Sequence, residues 1–236
     1  MSPRFHGHEW GGQALRIARL CAAWTPKLVG VYVHGSAALG GFGPASDLDV
    51  LVVTDGGSNW PALGAQLLAE CAGPRTLELS VVAADAARRP SRPWPFLLHV
   101  NSEDERVDLD EGRGDPDLIC HYVVTRSAGV TICGPPPESA FGPVARSQLV
   151  DYFREELRWS LTHADQRYAV LNACRATAYA DRGVLLSKPA GGQWWLQQFG
   201  AEALVDQALA AQEEGRDLGP SSPEARSFVG AAIAGL

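Results

Sequence analysis

The sequence is short of positive charge. Its 236 residues contain 20 lysines and arginines against 27 aspartates and glutamates, so the formal net charge is −7. Proteins that bind a nucleic-acid backbone usually carry a basic stripe, and none is visible here. The charge balance therefore argues against a nucleic-acid partner and suits a cationic small molecule better.

Long apolar runs are also missing. No window approaches 18 uninterrupted apolar residues, so the sequence predicts no membrane-spanning helix and no membrane partner. The N-terminal stretch MSPRFHGHEWGGQ lacks the apolar core of a signal peptide. The expectation is a cytoplasmic monomer.

The cysteines are few, odd in number and scattered. Most lie in apolar stretches, where a free cysteine behaves as a small hydrophobic residue. No pair has the spacing of zinc ligands, and the pattern predicts no disulfide framework. The five are Cys21, Cys71, Cys120, Cys133 and Cys174.

The pattern of apolar residues divides the chain into two parts. Helical and strand patterns alternate as far as residue 133, and GPPPESAFGP at 134–143 then interrupts them with prolines and glycines. Everything after this linker is helical in pattern. We predict an α+β fold, with a mixed β-sheet flanked by helices in residues 1–140 and a helical bundle in residues 141–236.

Periodicity also places the individual elements of the first part. Apolar residues at helical spacing predict the helices, which are 10–24, 61–72 and 115–126. Apolar runs and alternation of period two predict the strands, which are 28–34, 48–54, 76–82, 96–100 and 130–133.

The most informative residues lie in VYVHGSAALGGFGPASDLDVLVVTDG, between residues 31 and 56. An apolar strand ends in the Gly35-Ser36 turn, a glycine-rich loop follows, and the next strand opens with Asp47 and Asp49, which point to the same face. Paired carboxylates suit Mg²⁺, which completes its shell with water and substrate phosphates. A glycine-rich turn brings backbone N–H groups close to such phosphates. The alternative is an ordinary hairpin with an acidic rim.

These residues resemble the signature of the nucleotidyltransferase superfamily, the fold class of DNA polymerase beta. That signature is an apolar residue before Gly-Ser, a gap near ten residues, then two aspartates separated by an apolar residue. The resemblance implies that Asp47 and Asp49 bind Mg²⁺ and act in catalysis. It also implies that Ser36 and the backbone of Gly35 hold the terminal phosphates of the nucleotide, and that Ser46 contributes to nucleotide binding.

Glu78 lies in the middle of the strand TLELSVV, between leucines that face the other way. Taken alone, it is typical of the solvent-facing side of a strand. In the superfamily, however, the strand next to the two aspartates often carries a third acid, which either binds metal or takes the proton from the attacking hydroxyl. The resemblance therefore implies that Glu78 contacts the acceptor and is the general base that takes the proton of the attacking hydroxyl.

The segment EDERVDLDEGRGDPD at 103–117 is strongly acidic, with eight acids against two arginines. One interpretation is a solvated, mobile loop. The other is an electrostatic collar that attracts a polycationic acceptor. The sequence favours neither.

The helical part contains HADQRYAVLNACRATAYADRGVLLSKPAGGQWW. It resembles the C-terminal domain of the aminoglycoside adenylyltransferases that modify spectinomycin and streptomycin. Their pattern is an acid, an arginine two residues later, a second arginine ten residues after the acid, and a lysine beside a proline; here these are Asp165, Arg167, Arg175 and Lys188. The linker and the segment DPDL also fit, so the resemblance covers nearly the whole chain.

This resemblance assigns functions to the helical part. It implies ATP as the co-substrate, with Arg175 and Lys188 reaching its phosphates or adenine, and it implies that Asp165 binds ammonium groups of the acceptor. Outside the family, Arg175 is typical of a surface ion pair, Lys188 of a solvated loop and Asp165 of a helix cap.

Two positions bear on the choice of acceptor. Family members that accept streptomycin carry a tryptophan shortly after the segment that matches FLLHV and an acid four residues before the position of Asp165. The corresponding residues here are Ser102 and Leu161. A stacking surface and a charge partner for the larger drug are missing, which favours spectinomycin, or an unidentified cationic acceptor, over streptomycin.

The leading hypothesis is an ATP-dependent enzyme that transfers AMP to a hydroxyl of an aminocyclitol or aminoglycoside antibiotic and releases pyrophosphate. A second hypothesis is a nucleotidyltransferase of the regulatory or toxin–antitoxin type, which would need a larger basic or apolar surface for a protein or RNA acceptor. A third is a nucleotide-binding module without catalysis, and the three acids argue against it.

Overall fold

The computed structural model describes residues 8–44, 46–71 and 73–236, and its contacts divide the chain into two compact units. The first unit ends at Val144 and lacks a short internal segment that begins at Leu39. The second unit comprises that segment and Ala145–Leu236. The glycine-rich loop after Ala38 is thus packed with the helical unit, an assignment that no local pattern predicts.

The first unit is built on a six-stranded mixed sheet with the strand order β5-β4-β3-β2-β1-β6. The neighbours β2 and β3 run parallel, and the other neighbouring pairs run antiparallel. The strands are β1 Leu28–Val33, β2 Leu48–Thr54, β3 Leu77–Ala83, β4 Leu98–Asn101, β5 Arg106–Asp108 and β6 Val130–Cys133. The predicted mixed sheet is confirmed.

Among its described residues, this unit has six helices. They are α1 Gly11–Trp24, α2 Gly35–Ala38, α3 Trp60–Glu70, α4 Ala84–Arg88, α5 Leu118–Ala128 and α6 Pro137–Ala140. Helix α3 begins one residue before Pro61, the predicted start, and Asn59 Oδ1 caps it by accepting the backbone N–H of Ala62 at 3.3 Å.

Two details of the acidic run differ from the sequence-based expectation. Strand β5 lies inside the run and pairs with β4, so the run is not a loop throughout. The predicted helix over 115–126 begins only at Leu118, because the side chain of Asp115 accepts the backbone N–H of Asp117 at 3.0 Å and holds a turn before the helix.

The second unit is a helical bundle, as predicted. Its helices are α7 Arg146–His163, α8 Gln166–Arg182, α9 Lys188–Phe199, α10 Ala203–Glu214 and α11 Pro223–Gly235. Helix α8 lies at the centre, because the apolar residues that recur along it are buried against the other helices. Its Val170, Leu171 and Cys174 pack with Val205 and Ala208 of α10 and with Ala225 of α11.

The five cysteines are free. Mainly through burial, the pKa of the Cys21 thiol and that of the Cys174 thiol are raised to about 12. Both thiols therefore stay protonated at neutral pH. Within the described part of the chain, no helix has both the length and the apolar character that crossing a membrane requires.

Candidate active site

Three carboxylates meet at one end of the central strand pair. Asp47 directly precedes β2, Asp49 is the second residue of β2, and Glu78 is the second residue of β3. The parallel register places Asp49 beside Glu78, and each of the three acids offers an oxygen within 4.8 Å of those of the other two. Hard carboxylate oxygens at such spacing suit a divalent cation such as Mg²⁺.

The turn after β1 is fitted to this cluster. Gly35 has a φ of +57°, and a Cβ atom at this residue would lie 1.8 Å from Oδ2 of Asp49. The backbone N–H of His34 donates to the carbonyl oxygen of Asp49 at 3.0 Å. Only glycine meets both the backbone and the space requirement at residue 35.

Ser36 follows on the short helix α2. Its Oγ is buried and has no hydrogen-bond partner among the described residues. A buried hydroxyl without a partner is uncommon in a folded protein, and a phosphate oxygen would satisfy it. Ser46 lies half-buried in the loop directly before Asp47.

The surroundings of Glu78 disfavour its charged form. Burial raises the pKa of the Glu78 carboxyl above its ordinary value; His121 opposes this shift, and Asp47, Asp117 and Asp115 add to it. A carboxylate that is costly to ionise takes up a proton more readily than an exposed one, which is what a general base requires.

Sequence reasoning missed the histidines and the two aspartates next to this site. The rings of His34 and His121 lie with their centroids 4.7 Å apart, and Asp115 and Asp117 end the acidic run. The only signals were the histidine directly before Gly-Ser and the segment DPDLICH, neither of which carries information about distance. Burial holds the pKa of His34 well below its usual range, so this ring is neutral at physiological pH.

In the second unit, Asp165 caps helix α8. Its Oδ1 accepts the backbone N–H of Tyr168 at 3.0 Å, and its Oδ2 accepts from Nη2 of Arg167 at 3.1 Å. The side chain of Asp165 is only 14% exposed. Asp165, which the sequence predicts to bind the acceptor, therefore also stabilises the start of α8.

Arg175 and Lys188 lie on neighbouring helices of the same unit. Arg175 donates from Nε to the carbonyl oxygen of Leu186 at 2.8 Å and from Nη1 to Asn172 at 2.9 Å. The bond to Leu186 ties α8 to the loop before α9, and the bond to Asn172 stays within α8. Lys188 is the first residue of α9, where the helix dipole favours anions.

The glycine-rich loop approaches the same helix start. A Cβ atom at Gly41 would lie 2.4 Å from Cβ of Ser187, the N-cap residue of α9. A side chain at residue 41 would therefore push the loop away from Lys188. This close approach places two features typical of phosphate binding, a glycine loop and a helix N-terminus with a lysine, next to each other.

The fold and the acid cluster together define a nucleotidyltransferase. A family model described as "Nucleotidyltransferase domain" matches residues 17–88, which include Gly35, Ser36 and the three acids. A second model, described as "Aminoglycoside adenylyltransferase, C-terminal domain", matches residues 139–234. The chain thus matches, in order, a nucleotidyltransferase domain and the C-terminal domain of the aminoglycoside adenylyltransferases.

Curated relatives agree with this family. The aminoglycoside (3'') (9) adenylyltransferase of Escherichia coli is 28% identical over 217 residues, which cover 81% of each chain. The spectinomycin 9-adenylyltransferase of Staphylococcus aureus is 26% identical over 199 residues, 77% of this chain and 75% of the relative.

A solved structure has the same fold. The crystal structure of the spectinomycin adenyltransferase from Enterococcus faecialis with ATP and spectinomycin superposes with a TM-score of 0.76. It is 16% identical and covers 95% of this chain and 98% of the other.

Proposed function

We propose that this protein transfers AMP from ATP to a hydroxyl of an aminocyclitol antibiotic, with spectinomycin as the acceptor. The observation that carries the proposal is the convergence of three carboxylates within 4.8 Å: Asp49 and Glu78 lie on two parallel strands, and Asp47 directly precedes the first of them. The matches to the two family models support the reaction class, and the activities of the relatives support the acceptor class.

Asp47 and Asp49 are the proposed ligands of Mg²⁺, and their donor set fits this ion. When bound, Mg²⁺ would polarise the α-phosphate and offset the charge of the departing pyrophosphate. Glu78 would take the proton from the attacking hydroxyl, a role that its raised pKa supports. In this scheme Glu78 alternates between its two protonation states.

Several residues are proposed to hold the nucleotide. In the first unit, Ser36 offers a buried Oγ that has no partner in the described part of the chain. The backbone of Gly35 and the residue Ser46 are proposed to contact the nucleotide with it. In the second unit, Lys188 at the start of α9 and the guanidinium of Arg175 supply positive charge for phosphate oxygens.

The acceptor is proposed to meet Asp165 through its ammonium groups. The carboxylate is largely buried and already has one cationic neighbour, Arg167. An ammonium group would add a second charge-assisted hydrogen bond to this anion.

Two residues, Ser102 and Leu161, stand at the positions that bear on the choice between spectinomycin and streptomycin. Ser102 Oγ accepts the backbone N–H of Leu77, the first residue of β3, at 2.6 Å. Leu161 is half-buried on α7 and carries no charge. Neither side chain offers the stacking surface or the anion that the larger, more cationic drug requires, which supports spectinomycin.

The decisive experiment is incubation with ATP labelled at the α-phosphate, Mg²⁺ and one acceptor at a time. Labelled spectinomycin is the expected product, with little or no labelled streptomycin. Label in protein or RNA would support the alternative acceptor class instead, and no transfer to any acceptor would overturn the enzymatic proposal.

A further inference from the structure

The ring of Tyr168 lies directly beneath the ammonium group of Lys188. The Nζ atom is 4.5 Å from the centroid of the ring, which is well within the range of a cation–π interaction. Tyr168 is the third residue of α8 and Lys188 the first of α9, so the contact joins the starts of two helices of the second unit.

Three neighbours fix the position of this ring. Its hydroxyl donates to Oε1 of Glu156 on α7 at 2.6 Å, and the indole of Trp159 meets it edge to face, with centroids 6.4 Å apart. The backbone N–H of Tyr168 is held by the cap Asp165. Donation of the phenol proton to a carboxylate also enriches the ring in electron density, which strengthens its attraction for a cation.

We propose that Tyr168 is a positioning residue that holds the ammonium group of Lys188 in place for the phosphates of ATP. The inference rests on the proposed role of Lys188 in ATP binding. A lysine side chain is long and flexible, so a free one must be ordered when the nucleotide arrives. A lysine already held over a fixed ring binds with a smaller loss of conformational freedom.

Steady-state kinetics of Tyr168→Leu and Tyr168→Phe separate the ring from its hydroxyl. Tyr168→Leu removes the cation–π contact, and we expect the KM for ATP to rise about three- to tenfold. The kcat and the KM for spectinomycin should stay near those of the wild type. Tyr168→Phe keeps the ring and should restore most of the affinity for ATP, as should Glu156→Gln, which keeps a hydrogen-bond acceptor.

A second readout needs no acceptor. The chain contains only two lysines, Lys27 and Lys188, so an amine-reactive reagent followed by peptide mass mapping reports on Lys188 with the exposed Lys27 as internal reference. ATP should protect Lys188 and not Lys27. In Tyr168→Leu, half-protection should require about three- to tenfold more ATP.

The control is Tyr152→Leu, the same substitution on α7, where the ring contacts Phe153. It should leave both readouts unchanged, and thermal melting of each variant checks that it is folded. If ATP protects Lys188 equally in the wild type and in Tyr168→Leu, the positioning inference is wrong although Lys188 binds ATP. If ATP fails to protect Lys188 even in the wild type, the proposed role of Lys188 is wrong and the inference falls with it.

Discussion

Gly35 lies against the carboxylate of Asp49. A Cβ atom at residue 35 would be 1.8 Å from Oδ2 of Asp49 and 2.5 Å from its Cγ. The glycine also has a φ of +57°, which L-residues with side chains rarely adopt. The conformation of the turn and the position of one proposed metal ligand, Asp49, therefore both require glycine at residue 35.

Replacement of Gly35 by alanine should displace the Asp49 carboxylate and strain the turn. We expect kcat/KM to fall by at least about a hundredfold, because a metal ligand misplaced by more than an ångström loses most of its function. Stability should fall by only about 1–2 kcal/mol, the cost of the left-handed backbone. Steady-state kinetics and thermal unfolding measure the two effects.

Two glycines of the neighbouring loop serve as matched controls. Gly40 has a φ of +72° with open space around it, and Gly43 has open space without a positive φ. Gly40→Ala should cost some stability and Gly43→Ala almost none, and both should retain activity. If Gly35→Ala were as active as Gly43→Ala, the close approach to Asp49 would have no functional meaning.

Asp47→Asn removes one of the proposed metal ligands while preserving the size of the side chain. We expect turnover to fall at least about a hundredfold, since metal ions supply several kcal/mol of charge stabilisation in such reactions. The folded state should persist, because Asp47 lies outside the apolar core. Calorimetry should show a weaker dependence of ATP binding on Mg²⁺, and a variant with substantial turnover would contradict the metal assignment.

Glu78→Gln should lower kcat by about 10²- to 10⁴-fold, the usual contribution of a general base. The KM values should change little. An unchanged kcat would return Glu78 to the role of an ordinary strand residue.

The effect of Glu78→Gln on the stability of the protein should depend on pH. The folded-state pKa of Glu78 is raised above the ordinary 4.5, so its stabilising contribution is fully present below the unfolded-state pKa and is lost as pH rises through the folded-state pKa. Without divalent ions, Glu78→Gln should therefore melt at a higher temperature than the wild type at pH 7. The difference should shrink below pH 4.5, and a wild type that is more stable than the variant at pH 7 would contradict the shift.

Asp165 permits a separation of charge from helix capping. Asparagine caps a helix about as well as aspartate, so Asp165→Asn should keep α8 intact while removing the anion. We expect spectinomycin affinity to fall about ten- to a hundredfold, the worth of a charge-assisted contact of about 1.5–3 kcal/mol. Calorimetric titration of spectinomycin and of ATP separately measures this, and ATP affinity should barely change.

The alanine variant at the same position is the companion test. Asp165→Ala should lose the cap as well, at a cost of about 1 kcal/mol in stability. If Asp165→Asn bound spectinomycin as tightly as the wild type, Asp165 would be a cap and nothing more.

Local pattern alone was sufficient for a large part of this protein. The apolar periods predicted the sheet and the helical bundle, and two-residue spacing was enough to place Asp47 and Asp49 on one face, because alternation is a property of the strand itself. Short elements escaped this reasoning. Strand β5 has three residues in an acidic run, and its pairing with β4, rather than its own composition, makes it a strand.

Tertiary structure decided which distant residues share a site. Glu78 reaches the aspartates only because β3 pairs with β2 in a register that sets it beside Asp49, and a slip of one residue would turn it to the opposite face. The approach of Gly41 to Ser187 and of Tyr168 to Lys188 depends likewise on how helices pack within the second unit. Sequence alone was enough for the local geometry and for the chemical class of the site residues. The distances between those residues were set by long-range packing, because packing depends on the fit of side chains far apart in the chain.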